Sequence, residues 1–449
     1  MRGSRDPAPS GSTALKSTGL APPRSDALVA VAISMIGFAV AWLVVIWLAY
    51  SQVFGPVDTA LGTALPQRYG HDVLVGKLPY AGFGLEYPPL ALPTFVLPAL
   101  VAGRSASAFA YRTAFEGVML ACGLALVPIV ILQVRPFAQR RRDLVIPAAL
   151  LAASPLLLGP VITARFDLWP ALLTAAAIAA VLADRPRIGA GLLALAILAK
   201  VYPIVLAPLL VAAVWRRRGG SEALISSAVA IAVVAVVLGP FLVVAPAGTL
   251  EAVRVAVIRP LQVETLGASF LLVLHGVAGT PVELVRSFHS ENLVGTLPKL
   301  LAVGQSVALL LSVAFIWLQF TRGPGTAARL LASIAAALCL SVALGKVFSP
   351  QYLIWLVPLV ATVPRRVAPF AILWLAVVLL LTEAYFPIRY FDLVDRLDTG
   401  VAAIVLLRNT VLLGLALYLV WLAAVRSEPG TSASTARPHE DQVRRAGGG

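Results

Sequence analysis

Charge is scarce in this sequence. Only 12% of its 449 residues are Asp, Glu, Lys or Arg, where a soluble globular chain carries about 25%. Set against 59% hydrophobic residues, that shortage excludes an ordinary water-soluble fold. Cysteine is scarcer still. Cys122 and Cys339 are the only two, both inside apolar runs, where a thiol behaves as a small hydrophobe. They suggest neither a disulfide framework nor a metal site. His71, His275 and His289 are scattered and show no metal-ligand spacing. A Walker motif, a Gly-x-Gly-x-x-Gly after a strand and a nucleophile elbow are all missing, and no internal repeat is visible.

What is present is a series of apolar runs near or above ~18 residues, the signature of membrane-spanning helices. They predict an all-α polytopic membrane protein with about twelve crossings. The formal net charge of +14 invites a nucleic-acid partner, but the arginines cluster in short connectors between apolar runs. That is the pattern of the positive-inside rule, so no nucleic acid is expected. Residues 1–26 and 426–449, rich in Ser, Pro, Gly and Arg, read as disordered cytoplasmic tails flanking a transmembrane domain over 27–425. Ala27 to Tyr50 is an uncleaved first span, too long for a signal-peptide core. The loop that follows, 51–106, therefore lies outside.

Pro88 to Gly103 is apolar but short, with four prolines, whereas a span needs ~20 residues. Laid at the outer surface, it lets Ala108–Leu132 run inward and places Arg135, Arg140, Arg141 and Arg142 in the cytoplasm. Ile188 to Trp215 precedes Arg216, Arg217 and Arg218. A hairpin broken at Lys200-Val-Tyr-Pro203 keeps those three inside. A second long outer region covers 245–297, and both termini are cytoplasmic.

With this topology most remaining acids and bases fall at the outer face. An ionisable group at membrane depth costs a few kcal/mol at least and marks function by default. Asp58 has no basic residue nearby in sequence, and reads either as a turn residue after Pro56 or as a catalytic carboxylate. An interfacial helix over Leu65–Val75, with Leu65, Tyr69 and Val73 toward lipid, would hold it near the bilayer surface. Glu86, in Leu85-Glu-Tyr-Pro-Pro-Leu90, either caps a helix or lines a cleft. Tyr80 and Tyr87 read as interfacial belt residues or as sugar-stacking rings. Arg165 and Asp167 either neutralise one another or face substrate. Lys200 interrupts an apolar stretch at a helix break with no acid nearby in sequence. It either snorkels to the interface or holds a phosphate. Arg259 and Glu264 form a surface pair or a site wall, and Lys346 caps a helix or joins them.

The ordered set of an outer-loop Asp58, Gly76-Lys-Leu-Pro-Tyr80 and Leu85-Glu-Tyr-Pro-Pro89 resembles the GT-C class of membrane glycosyltransferases. The nearer likeness is to glycosyltransferase family 87, which includes polyprenol-phosphate-mannose-dependent mannosyltransferases. Further matching segments are Arg165-Phe-Asp-Leu-Trp-Pro170, Ala199-Lys-Val-Tyr-Pro203, Arg259-Pro-Leu-Gln-Val-Glu264 and Ser349-Pro-Gln-Tyr-Leu-Ile-Trp355. Through them Tyr202 and Gln351 join Glu86, Tyr87, Arg165, Asp167, Lys200, Arg259, Glu264 and Lys346 as candidates for substrate binding. The resemblance implies transfer of a hexose, mannose by preference, from a polyprenyl-phosphate sugar to a lipid or glycan acceptor. It implies the outer face of the plasma membrane, inversion, Asp58 as general base, and neither nucleotide, metal nor other cofactor. The competing class is a transporter or glycolipid flippase, which a broken helix at Lys200 would suit.

Overall fold

The computed structural model describes residues 22–54, 62–103, 106–364 and 367–425. Helices dominate, because hydrocarbon offers backbone N–H and C=O groups no partner outside their own segment. Among the described residues five helices are long and apolar enough to cross a membrane: Arg24–Tyr50, Ala108–Phe137, Gly220–Val244, Thr296–Arg322 and Thr399–Ala424. Shorter apolar helices fill the space between them, among them Leu168–Leu182, Pro186–Ala199 and Ala327–Ala343. The last of these is buried on nearly every face, like an interior element rather than a lipid-facing one. The chain is thus an all-α polytopic membrane protein, with three short strands among the described residues. The expected C-terminal tail, and residues 1–21 of the N-terminal one, lie outside the described residues.

Chain direction follows from side-chain contacts. Arg24–Tyr50 lies parallel to Arg142–Leu158, since Asp26 pairs with Arg141 at 2.7 Å and Ser34 donates to the Ala148 carbonyl at 3.3 Å. It is antiparallel to Ala108–Val134, with Tyr50 against Phe109. The hairpin inferred from charge is present. Pro186–Ala199 stops where Pro203 has no N–H to offer the Ala199 carbonyl, Lys200 is extended, and a 3-10 turn leads into Ala207–Arg218. Arg218 then returns to Asp184, just before the hairpin began.

The first loop differs from expectation in one respect. Ala64–Leu74 is a helix, but Tyr69 is 3% exposed, stacks on Phe83 and packs at a tilt against Phe95. The apolar stripe faces the protein. Periodicity shows that one face is buried but does not distinguish lipid from a neighbouring helix. Here the neighbour is Pro93–Ala102, so close that a Cβ on Gly70 would sit 2.3 Å from the Phe95 carbonyl oxygen. Ten residues long, that second helix reaches only ~15 Å and is too short to cross.

Within 245–297 the chain forms the helices Pro246–Ile258 and Leu266–Ala278 and a small sheet. Strands β1 (Leu261–Gln262), β2 (Glu283–Ser287) and β3 (Ser290–Val294) run in the order β1-β3-β2, all antiparallel, with Leu261 opposite Leu293. Phe288 and His289 make the two-residue turn between β2 and β3, both with positive φ. Asn-Gly usually fills such a turn, and neither residue is there to announce it.

Candidate functional site

The segment Arg165-Phe-Asp167 joins the helical turn Val161–Ala164 to Leu168–Leu182. Asp167 stands at the N-cap but caps nothing. Its carboxylate reaches Lys200 instead, with Nζ donating to Oδ1 at 2.6 Å. The acid absent from the neighbourhood of Lys200 thus arrives from 33 positions away. Trp355 Nε1, on the helix Leu353–Ala361, donates to the same oxygen at 2.6 Å. Asp167 is 0% exposed.

Rings surround the pair. Lys200 Nζ lies 4.7 Å from the Phe166 centroid, 5.2 Å from Trp355 and 5.5 Å from Tyr352, which is cation–π range. Trp355 is stacked between Tyr202, at 3.9 Å and 7°, and Tyr352, at 4.3 Å and 19°. The Tyr202 hydroxyl is 3.2 Å from Thr174 Oγ1, which fixes the outer ring of that stack. Tyr87 meets Phe166 edge-on at 4.8 Å and closes the side toward the first loop.

Arg165 and Arg259 both lie within electrostatic reach of Lys200. Arg259 follows the helix Pro246–Ile258 and donates through Nη2 to the Phe288 carbonyl at 2.7 Å and to Ser290 Oγ at 3.1 Å. Its Nε is buried without an acceptor among the described residues. The same hairpin tip sets His289 on Glu86 as an ion-pair partner. Burial, opposed by His289 and Arg259, holds the Glu86 carboxyl above its usual range.

Seven candidate residues therefore converge at one end of the helices: Glu86, Tyr87, Arg165, Asp167, Lys200, Tyr202 and Arg259. Glu264 lies behind them in a buried network, accepting from Gln262 Nε2 at 2.8 Å and from Tyr385 at 2.6 Å. Lys346 turns away, its amine on the Val257 carbonyl near the end of Pro246–Ile258. Gln351 is half-buried in the 3-10 turn that presents Tyr352. Asp58 lies outside the described residues. Among those residues, no group of three His, Cys, Asp or Glu side chains is placed to hold a metal ion.

Sequence reasoning passed over several participants. Trp355 and Phe166 were visible only as members of motifs, and His289 only as one of three scattered histidines. Arg112 and Glu116, four apart on an apolar helix and 3.0 Å from one another, carried the i,i+4 signal of a buried pair. Arg408, 0% exposed, carried the signal of a lone charge inside a span.

What the arrangement can do is hold an anion beside rings and a carboxylate at the rim of an apolar bundle. No curated protein matches the chain. A family model described as glycosyltransferase family 87 matches residues 85–344, which takes in Glu86 through Glu264 and more than half of the sequence. The chain belongs to glycosyltransferase family 87 and is a membrane glycosyltransferase.

Proposed function

We propose that this enzyme moves a hexose, mannose first among the candidates, from a polyprenyl phosphate to a glycan or glycolipid acceptor at the outer face of the plasma membrane. The observation that carries this reading is the gathering of Arg165, Lys200 and Arg259 where apolar helices end. Asp167 faces Arg165 and Lys200, and Glu86 faces Arg259. A phosphate on an isoprenoid tail suits a cationic rim above an apolar bundle.

In the reaction the acceptor oxygen attacks the anomeric carbon while the bond from that carbon to the phosphate oxygen breaks, which inverts the centre. Asp58 takes the proton from the acceptor hydroxyl. Arg165 and Arg259 hold the charge that develops on the departing polyprenyl phosphate, while Lys200 is held by Asp167. No step asks for a nucleotide, a metal or another cofactor. The basic connectors support cytoplasmic termini and an outward-facing site. The break at Lys200 also suits a transporter or flippase, but membership of a glycosyltransferase family weighs against it.

The test is transfer from radiolabelled polyprenyl-phosphate-mannose into lipid extracts, using membranes that hold the wild type or Asp58→Asn at equal abundance. Transfer by the wild type that the variant loses supports both the donor and the base. Equal transfer by the two removes Asp58 from the mechanism. Absence of transfer with mannosyl, glucosyl and galactosyl donors alike defeats the donor reading.

A further inference from the structure

We propose that Asp167 is the residue that reads a hydroxyl of the transferred sugar, a role that rests on the donor reading above. Its two oxygens are in different states. Oδ1 accepts from Lys200 Nζ and from Trp355 Nε1, both at 2.6 Å. Oδ2 is equally buried and meets no donor among the described residues. A carboxylate offers about four lone-pair sites, and a buried acceptor left without a donor is costly. The two donors on Oδ1 come from separate segments, the helix break at Lys200 and the helix Leu353–Ala361, so the group cannot rotate to relieve Oδ2.

The choice of ligand follows from what surrounds that oxygen. A phosphate is repelled by a carboxylate and belongs with Arg259, whose Nε is buried without an acceptor among the described residues. A hydroxyl brings the proton that Oδ2 wants. Beside it stand three nearly parallel stacked rings, Tyr202, Trp355 and Tyr352, an apolar wall suited to the C–H groups of a hexose. Lys200 thereby changes role. Its charge is spent on Asp167, and the pair acts as one neutral hydrogen-bonding unit. The phosphate falls to Arg259 and Arg165, and sugar identity to Asp167. The sequence placed Asp167 among substrate-binding candidates without saying which part of the donor it meets.

The experiment measures binding, so that loss of turnover does not decide it. Full-length protein in lipid nanodiscs is titrated with polyprenyl phosphate alone, with its mannosyl, glucosyl and galactosyl derivatives, and with the monodeoxy forms of the tightest of the three. The comparison is Asp167→Asn/Lys200→Gln, a charge-neutral double variant that leaves no buried ion unpaired, with Asp167→Asn as second variant. For the wild type one monodeoxy donor should bind about tenfold to a hundredfold more weakly, as expected for a lost hydrogen bond to a charged acceptor. In the double variant that penalty should shrink to about twofold while the other deoxy penalties persist. Affinity for bare polyprenyl phosphate should stay within about threefold, because the pair is neutral as a unit. A deoxy profile unchanged between wild type and variants overturns the assignment, and so does a sugar that adds nothing to the affinity of polyprenyl phosphate. Failure of the donor reading looks different, because polyprenyl phosphate itself then does not bind.

Discussion

Arg408 donates through Nη2 to the main-chain carbonyl of Glu264 at 2.6 Å, from 144 positions further along the chain. Its Nη1 donates to the Tyr385 hydroxyl at 2.7 Å, which in turn donates to the Glu264 carboxylate. The guanidinium lies 3.9 Å from the Phe348 centroid. One buried arginine thus ties the helix Thr399–Val425 to the segment just beyond the strand Leu261–Gln262, and so braces the wall on which Arg259 is mounted.

Removing that arginine leaves the buried Glu264 carbonyl and Tyr385 hydroxyl without their charged donor, and each such hydrogen bond is worth about 1.5–3 kcal/mol. Arg408→Met should therefore lower the thermal unfolding midpoint in detergent by several degrees or prevent accumulation. Lysine should not rescue it, because a point ammonium cannot bridge two acceptors and lie on a ring. The double variant Arg408→Met/Glu264→Gln should recover part of the loss. A single variant as stable as the wild type would show that the network is dispensable.

The helices were legible in the sequence because each is an apolar run closed by charge, glycine or proline. The hairpin at Lys200 follows from Pro203 and from three arginines that have to return to their starting side. The partners of Asp167 were not legible. Lys200 is 33 positions away and Trp355 is 188, and no local pattern joins them. The sheet was hidden for another reason, since Phe288 and His289 occupy backbone conformations that favour Gly and Asn. Tyr69 shows a third limit: its stripe correctly marked a buried face, but not whether lipid or protein covers it.

The ends of the bundle make topology testable with introduced cysteines, because Cys122 and Cys339 are both buried and give little background. Arg187 and Arg218 pair with Glu222 and Asp184 at one end of the hairpin, and Lys200 is at the other. The Glu283–Val294 hairpin stands on the Lys200 side, through Arg259 and Glu86. A membrane-impermeant maleimide on intact cells should label Arg286→Cys, whose side chain is exposed. Arg187→Cys and Arg218→Cys should react only after lysis. The opposite pattern would turn the site toward the cytoplasm. Labelling of all three on intact cells would break the hairpin reading.

Glu86 and His289 couple the first loop to the hairpin tip, and the pair predicts a pH response. Burial raises the Glu86 carboxyl above its free value, while His289 and then Arg259 pull it down. With the folded-state value raised, the neutral acid is the form that folding favours. That contribution is complete below the free carboxyl's pKa and is lost as pH rises through the folded one. Glu86→Gln stays neutral throughout, so its unfolding midpoint should gain on the wild type as pH rises through the weakly acidic range. His289→Ala removes the larger of the two opposing charges and lifts the carboxyl further. If ionised Glu86 contacts substrate, the acid limb of the transfer profile then moves to higher pH in His289→Ala. Placing Glu86→Gln in the same chain abolishes that movement. An acid limb that stays where it was in His289→Ala would mean that the hairpin tip holds Glu86 in place without tuning it.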